Sequence, residues 1–337
     1  MESQPSRFMR RVLPDALRDA AAVLAGFIGA APDDLGFTDN ATTGVNAVLR
    51  SLPFAAGDEI VVLSHVYGAV ANAVRHVATA AGARVVVAAL PFPDPAQPAV
   101  LAALEAALTP RTRLAVLDHI TSASALVLPV AAMVALCRAR AVPVLVDGAH
   151  APGQVSLDLT SIGADWYTGT CHKWLFAPKG AAFLWAAPDR QDGLHPAVIS
   201  HGYGGGFRAE FDWTGTRDPT AFLAVPDAIA FHARLGGAAL MRRNAALAAQ
   251  ATSLLARRLH TQAGATGAFA AAMGCVRLPI DPGRADAFNE ALMDAGTDAP
   301  VHALDGAAWL RLSAQAYNDL ADYDRLGDLI EAALVTA

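Results

Sequence analysis

The sequence predicts an α/β protein, built on a mainly parallel sheet with helices on both faces and completed by a small C-terminal α+β domain. Three observations predict it. Short apolar runs rich in β-branched residues recur between longer amphipathic stretches, the pattern of right-handed strand–helix–strand crossovers. Runs such as Val142–Val146 are apolar at every position, as strands covered on both faces require. The alternation then stops near Leu184 and gives way to a glycine-rich segment and long helical patterns.

The elements follow in order. Pro5–Phe27 reads as an opening helix, and Val45–Ser51 as a second helix, entered through Asn40-Ala-Thr-Thr-Gly44. The expected strands are Glu59–Leu63, Arg84–Ala88, Arg113–Leu117, Val142–Val146, Asp165–Thr168 and Ala181–Trp185. Helices Val70–Ala81, Ala99–Leu108 and Val130–Ala141 lie between them by their apolar spacing. After the Gly-rich stretch His201–Gly206 come helical patterns at Pro219–Arg234 and Ala238–His260. Gly274–Leu278, Arg284–Ala295, Trp309–Ser313 and Tyr323–Val335 make the small terminal unit. We expect a large domain over residues 1–220, and a linking helix with the small domain over 221–337.

Composition narrows the function classes. The chain has 337 residues, 54% apolar and 17% charged, enough to bury a large core and too apolar for disorder. A net charge of −6, with scattered Lys and Arg, offers no field for nucleic acid or an anionic membrane. No apolar run reaches a membrane span, and Met1–Arg11 is not followed by a signal-peptide core. Three separated cysteines, Cys137, Cys171 and Cys275, fit a reducing cytoplasm better than a disulfide framework.

Ligands of open α/β sheets bind at the carboxyl ends of the strands. Asp147 is the first polar residue after Val142–Val146, and Lys173 follows Asp165–Thr168 at the same edge, so the two can converge. An acid for a pyridine nitrogen, an amine for a carbonyl and donors for a phosphate are what pyridoxal phosphate needs. Thr42 and Thr43 open a helix and can present hydroxyls and backbone amides to an anion. The plainer alternative is that one of them only caps the helix.

The chain resembles class V aminotransferase-type, fold-type I pyridoxal phosphate enzymes, and within them the isopenicillin N epimerase-like group. The resemblance rests on Asn40–Asn46, Ser64–Ala69, Asp118–Ser122, Val146–Gln154, His172-Lys-Trp174, Phe211–Arg217 and Arg311–Asn318, in the family's order along nearly the whole chain. It implies a seven-stranded sheet and a homodimer with shared active sites, acting on a small amino-acid substrate, with no metal, nucleic acid or membrane partner.

By the same resemblance, Lys173 would hold the cofactor covalently and later carry the Cα proton. Asp147 would pair with the pyridinium nitrogen, and His150 would lie near the ring hydroxyl. Thr42, Thr43, Thr170 and His172 would hold the phosphate, and Thr216 would reach the phosphate of the neighbouring subunit. Tyr67 would stack on the ring, with His65 as the alternative. Arg311 would clamp the substrate α-carboxylate, a bidentate task suited to a guanidinium. Arg217 and Tyr203 join it as substrate-side candidates, Arg217 being equally an interface ion pair.

Such a site makes a Cα carbanion, from which epimerisation, carbon–sulfur β-elimination or transamination can follow. We expect epimerase-like chemistry, with a lyase of the hercynylcysteine sulfoxide type or an aminotransferase as alternatives, and a catalytically silent scaffold as the non-enzyme alternative. Epimerisation needs a second acid, for which His201 and Tyr203 in the Gly-rich loop are candidates and solvent the fallback; that loop could equally be a mobile lid with no chemical role. Asp294–Trp309 holds no cysteine, which disfavours a cysteine desulfurase route, and Cys171 reads as packing. Relatives carry a longer N-terminal segment that helps cover the site. Either the start is cut short here, or the pocket is more open and the substrate different.

Overall fold

The structure is a computed structural model and describes residues 3–336; the first two residues of the Met1–Arg11 segment lie outside the described residues. The strands are β1 (Leu35–Thr38), β2 (Glu59–Leu63), β3 (Arg84–Ala88), β4 (Thr112–Asp118), β5 (Val144–Gly148), β6 (Trp166–Thr170), β7 (Ala182–Ala186), β8 (Met273–Leu278), β9 (Val301–Leu304) and β10 (Ala307–Ser313). The first seven form one sheet in the order β1-β7-β6-β5-β4-β2-β3. From β3 to β6 the neighbours run parallel, and β7 and β1 close the far edge antiparallel. The seven-stranded, mainly parallel sheet is therefore present, and so is the small C-terminal sheet, ordered β8-β10-β9.

Helices cover both faces. One core layer joins Leu17, Leu24 and Ile28 of the N-terminal helix to alternate residues of the central strands, such as Val61, Leu117 and Val146. The other joins Val45 and Val48 of the helix Ala41–Ser51, and Val70 and Val74 of Gly68–Ala81, to Ile60, Val116 and Leu145. Strands sandwiched in this way have no polar face, which is why they read as unbroken apolar runs. A separate cluster, from Leu247 to Ala333, packs Leu255, Phe288 and Ile330 on the small sheet.

Prolines redraw the expected helices. Pro5–Phe27 is interrupted by a widened turn at Phe8–Val12 before the regular helix Leu13–Ile28. Pro14 has no N–H to return to the preceding turn. Pro226 likewise divides the expected Pro219–Arg234 helix into Thr220–Leu223 and Val225–Arg234. Two strands had no counterpart among those expected. β1 is only four residues long, and β9 is joined to β10 by Asp305-Gly306. Both turn residues have positive φ, 47° and 73°, the conformation that makes Asp-Gly a two-residue hairpin signal.

One loop after β4 ties the two sheets together. Arg311 of β10 donates to the Ser122 carbonyl at 2.8 Å, and the Cys275 thiol of β8 donates to the Ala123 carbonyl at 3.2 Å. His65 lies 2.8 Å from the Ser124 hydroxyl and 3.0 Å from the Asp305 carboxylate in the hairpin. Among the described residues, no helix is long and apolar enough to cross a membrane.

Candidate active site

The carboxyl ends of β4, β5 and β6 deliver Asp118, Asp147 and Thr170 to one cavity of about 620 Å³. The helix Ala41–Ser51 meets it with Thr42, Thr43, Asn46 and Arg50, and the loop after β6 adds His172 and Lys173. The helix comes this close because residue 44 is glycine. A Cβ there would lie 2.4 Å from the Thr168 hydroxyl oxygen.

The helix is capped by Asn40, whose side-chain oxygen accepts from the Thr43 N–H at 2.9 Å. Neither threonine is the cap, so the capping alternative is corrected. Asn40 sits in the extended conformation a cap needs, while Thr42 and Thr43 are already helical. The helix start thus offers the Thr42 amide and hydroxyl and its positive dipole end to an anion, while the Thr43 N–H and hydroxyl both donate to Asn40. His172 stands near it with Nδ1 buried and without a protein partner. Thr170 also lines the cavity, but its hydroxyl donates to the Ala149 carbonyl at 2.5 Å. In that arrangement it has no proton to offer a phosphate.

Asp147 is 5% exposed and accepts from the Ala149 N–H at 2.9 Å. Burial raises its pKa, against the Ala149 bond and the Lys173 charge. Beneath it, Tyr167 holds the His119 ring at 2.8 Å and leaves residue 148 no room for a side chain: a Cβ would lie 2.1 Å from the phenol oxygen. Lys173 is open to the cavity, yet the surrounding protein desolvates its ammonium and lowers its pKa; Asp147 opposes that shift, and Arg311 and Lys179 add to it. Its Nζ lies 3.2 Å from His150 Nε2. His150 is buried, and desolvation, then the Lys173 and Arg311 charges, hold its pKa well below the ordinary histidine value.

Tyr67 lines the cavity, whereas His65 is buried between Ser124 and Asp305. A second cavity of about 350 Å³ shares His150 and Lys173 and extends to Arg311, Gln315 and Tyr317. Arg311 Nε is buried there without a protein partner. An acid at the ring-nitrogen end, an amine between the two cavities, anion donors on one side and a guanidinium on the other fit pyridoxal phosphate with an amino acid beyond it.

Other candidates stand outside both cavities. Thr216 is exposed. Arg217 pairs with Asp39 at 2.8 Å and lies over the Phe222 ring. Tyr203, 64% exposed, packs against His195, and neither it nor His201 lines either cavity. Cys171 is fully buried and its thiol is pushed up to about 12, an inert packing residue. Among the described residues, no cluster of three or more His, Cys, Asp or Glu is placed to hold a metal.

Sequence reasoning missed Asp118, Ser122 and Trp174 as parts of the site. Asp118 had a legible signal. It follows an apolar strand as Asp147 does, one strand away.

Known proteins bear on this geometry. A sequence model of the family described as "Aminotransferase class-V" matches residues 9–326. The chain is 33% identical to the putative L-cysteine desulfhydrase 1 of Oryza sativa subsp. japonica, over 97% of this chain and 77% of that protein. It is 36% identical to the isopenicillin N epimerase of Amycolatopsis lactamdurans, over 98% and 88%. Among solved structures, the cystine C-S lyase C-DES superposes with a TM-score of 0.80 at 24% identity, covering 94% of this chain and 86% of that one. The Escherichia coli cysteine desulfurase CsdA gives 0.78 at 18%, over 96% and 85%.

Proposed function

The chain belongs to the aminotransferase class-V family, whose members use pyridoxal phosphate, and on that premise we propose that it is a carbon–sulfur β-lyase of a cysteine-type amino acid. The observation that carries the reading is the cavity wall. Lys173, backed by His150, is the base in reach of a substrate held by Arg311, while the candidate second acids, His201 and Tyr203, lie away from both cavities. Elimination needs one base, and epimerisation needs in addition a proton delivered to the opposite face, from an acid or from solvent. The relatives named L-cysteine desulfhydrase support the same choice.

The bound cofactor supplies an electron sink for the bond at Cα. The chain's residues do the rest. Asp147 holds the positive charge at the ring nitrogen, and Thr42, Thr43 and His172 hold the phosphate. Arg311 takes the α-carboxylate and so orients the Cα–H bond toward Lys173. Lys173 takes that proton as a free amine, a state its lowered pKa favours. The Cβ–S bond then breaks, its electron pair leaves with sulfur, and the sulfur takes a proton from the Lys173 ammonium. Water hydrolyses the three-carbon remainder to an oxo acid and ammonia. The exposed Thr216 belongs, in this reading, to the phosphate site of a second subunit.

A second reading, epimerisation, is favoured by the 35% and 36% identity to two isopenicillin N epimerases. Incubation of the holoenzyme with an amino-acid panel in deuterated water separates the two. The lyase releases oxo acid with an equal amount of sulfide from L-cysteine, or of the matching thiol from its S-conjugates. Inverted, deuterated amino acid without sulfide would sink the lyase reading.

A further inference from the structure

We propose that Asp118 is a second carboxyl of the cofactor site, one that keeps its proton and positions Tyr67 while Asp147 alone carries the negative charge. The inference rests on the cofactor site and not on which substrate bond is cleaved.

The geometry begins in the sheet. Asp118 and Asp147 are register partners on the adjacent parallel strands β4 and β5. Both side chains line the same cavity, and the residues are only 3% and 5% exposed. Strands lie about 5 Å apart, and at that range two carboxylates repel by roughly 3 kcal/mol even at an effective dielectric of about 20. One of the pair therefore keeps a proton, as neighbouring buried carboxyls do.

The surroundings decide which one. Asp147 accepts from the Ala149 N–H and feels the Lys173 charge. Among the described residues no cation forms an ion pair with Asp118. The flanking His119 is buried and neutral, held by Tyr167. The polar groups reaching the Asp118 carboxyl are the backbone N–H groups of Tyr67 and of Asp118 itself. Its Oδ2 is buried and has no partner. A charged oxygen left there would be uncompensated, a larger cost than an unpaired neutral hydroxyl. Burial first, and then the Asp147 charge, push this carboxyl well above the usual carboxylate range.

Two effects follow. The Asp118 carboxyl faces the backbone N–H of Tyr67, the N-cap residue of the helix Gly68–Ala81, and through it bears on where the phenol ring meets the cavity wall. The proton on Asp118 also leaves Asp147 as the one negative charge facing the ring nitrogen. Asp118 acts through its neighbours and is a positioning residue.

The test compares Asp118→Asn, Asp118→Ala and Asp147→Asn without any substrate. Isotope-edited infrared spectra of the holoenzyme at neutral pH are expected to show a protonated-carboxyl band in the parent and in Asp147→Asn, and to lose it in Asp118→Asn. A parent without that band overturns the proposal. Cofactor affinity, titrated by visible absorbance, is expected to change by less than about threefold in Asp118→Asn, which keeps the donor and the acceptor, and to weaken about tenfold in Asp118→Ala, the loss of one hydrogen bond. Asp147→Asn is expected to weaken it about a hundredfold, the loss of a buried charge partner. Asp118→Asn behaving like Asp147→Asn, or Asp118→Ala behaving like the parent, overturns the proposal. Failure of the lyase reading changes neither measurement.

Discussion

The Trp174 indole N–H donates to His150 Nδ1 at 3.3 Å, and that bond selects the tautomer of the ring. His150 is neutral, so with Nδ1 accepting, the ring's proton sits on Nε2, 3.2 Å from Lys173 Nζ. A free amine accepts that proton's hydrogen bond; an ammonium has no lone pair to do so. Trp174 thus favours the neutral lysine. Trp174→Phe frees the other tautomer, which accepts from the ammonium and raises the Lys173 pKa. The rising limb of the kcat–pH profile should move upward by about one unit, with about a tenfold loss at neutral pH. A limb that stays put while activity falls would count against the tautomer argument.

Arg311 spends one terminal nitrogen on the Ser122 carbonyl and leaves Nε buried without a protein partner. Arg311→Ala should raise KM for the amino acid about a hundredfold, the range of a charge-assisted bidentate contact. The visible spectrum of the bound cofactor should stay as in the parent. Arg311→Lys should recover little, since an ammonium cannot hold the loop and present a fork at once. A spectrum lost along with turnover would move Arg311 from the substrate to the cofactor.

Gly148 carries the turn below Asp147 and touches Tyr167. Gly148→Ala places a methyl inside the phenol's space, an overpacking that costs about 1–3 kcal/mol. Asp147 shifts with the strand, so cofactor affinity should drop about tenfold or more. Tyr167→Ala in the same chain removes the phenol oxygen and the ring carbons at 2.2 and 2.3 Å together and should restore part of the loss, whereas Tyr167→Phe should not. Calorimetry of cofactor binding in the single and double variants checks it.

His119 provides a pH test of stability. Its pKa is lowered from 6.5 to about 4 by burial, so the folded state refuses a proton that the unfolded chain takes up. The sign is therefore destabilisation on acidification, beginning near pH 6.5 and complete below about pH 4. The parent should lose about 2–3 kcal/mol through this group over that window. Denaturant unfolding of the parent and of His119→Asn at both ends isolates that share; an equal loss in both would refute it.

Most of the sheet was readable because doubly covered strands must be apolar throughout, so Glu59–Leu63 has the expected bounds; the edge strand Arg84–Ala88, largely exposed, was readable from its β-branched run instead. Asp147 and Lys173 could be paired for a related reason: both follow strands that end at the same edge. β1 lacked length, and its place beside β7 depends on a pairing far away in the chain. Trp174 and Ser122 were illegible for another reason. Each acts through one hydrogen bond to a residue remote in sequence, and no periodicity or spacing encodes such a contact. Tyr203 looked like site chemistry because it sits among glycines, but its ring packs on His195.

The loop that joins the two sheets works as a gauge. Ser122 fixes the guanidinium of Arg311, Ala123 takes the thiol of Cys275, and Ser124 and Asp305 both grip His65. Arg311 is thereby fixed against the large sheet that carries Asp147 and Lys173. On the proposed reading, that fixed placement makes the spacing between a substrate's amine and its carboxylate a selected property.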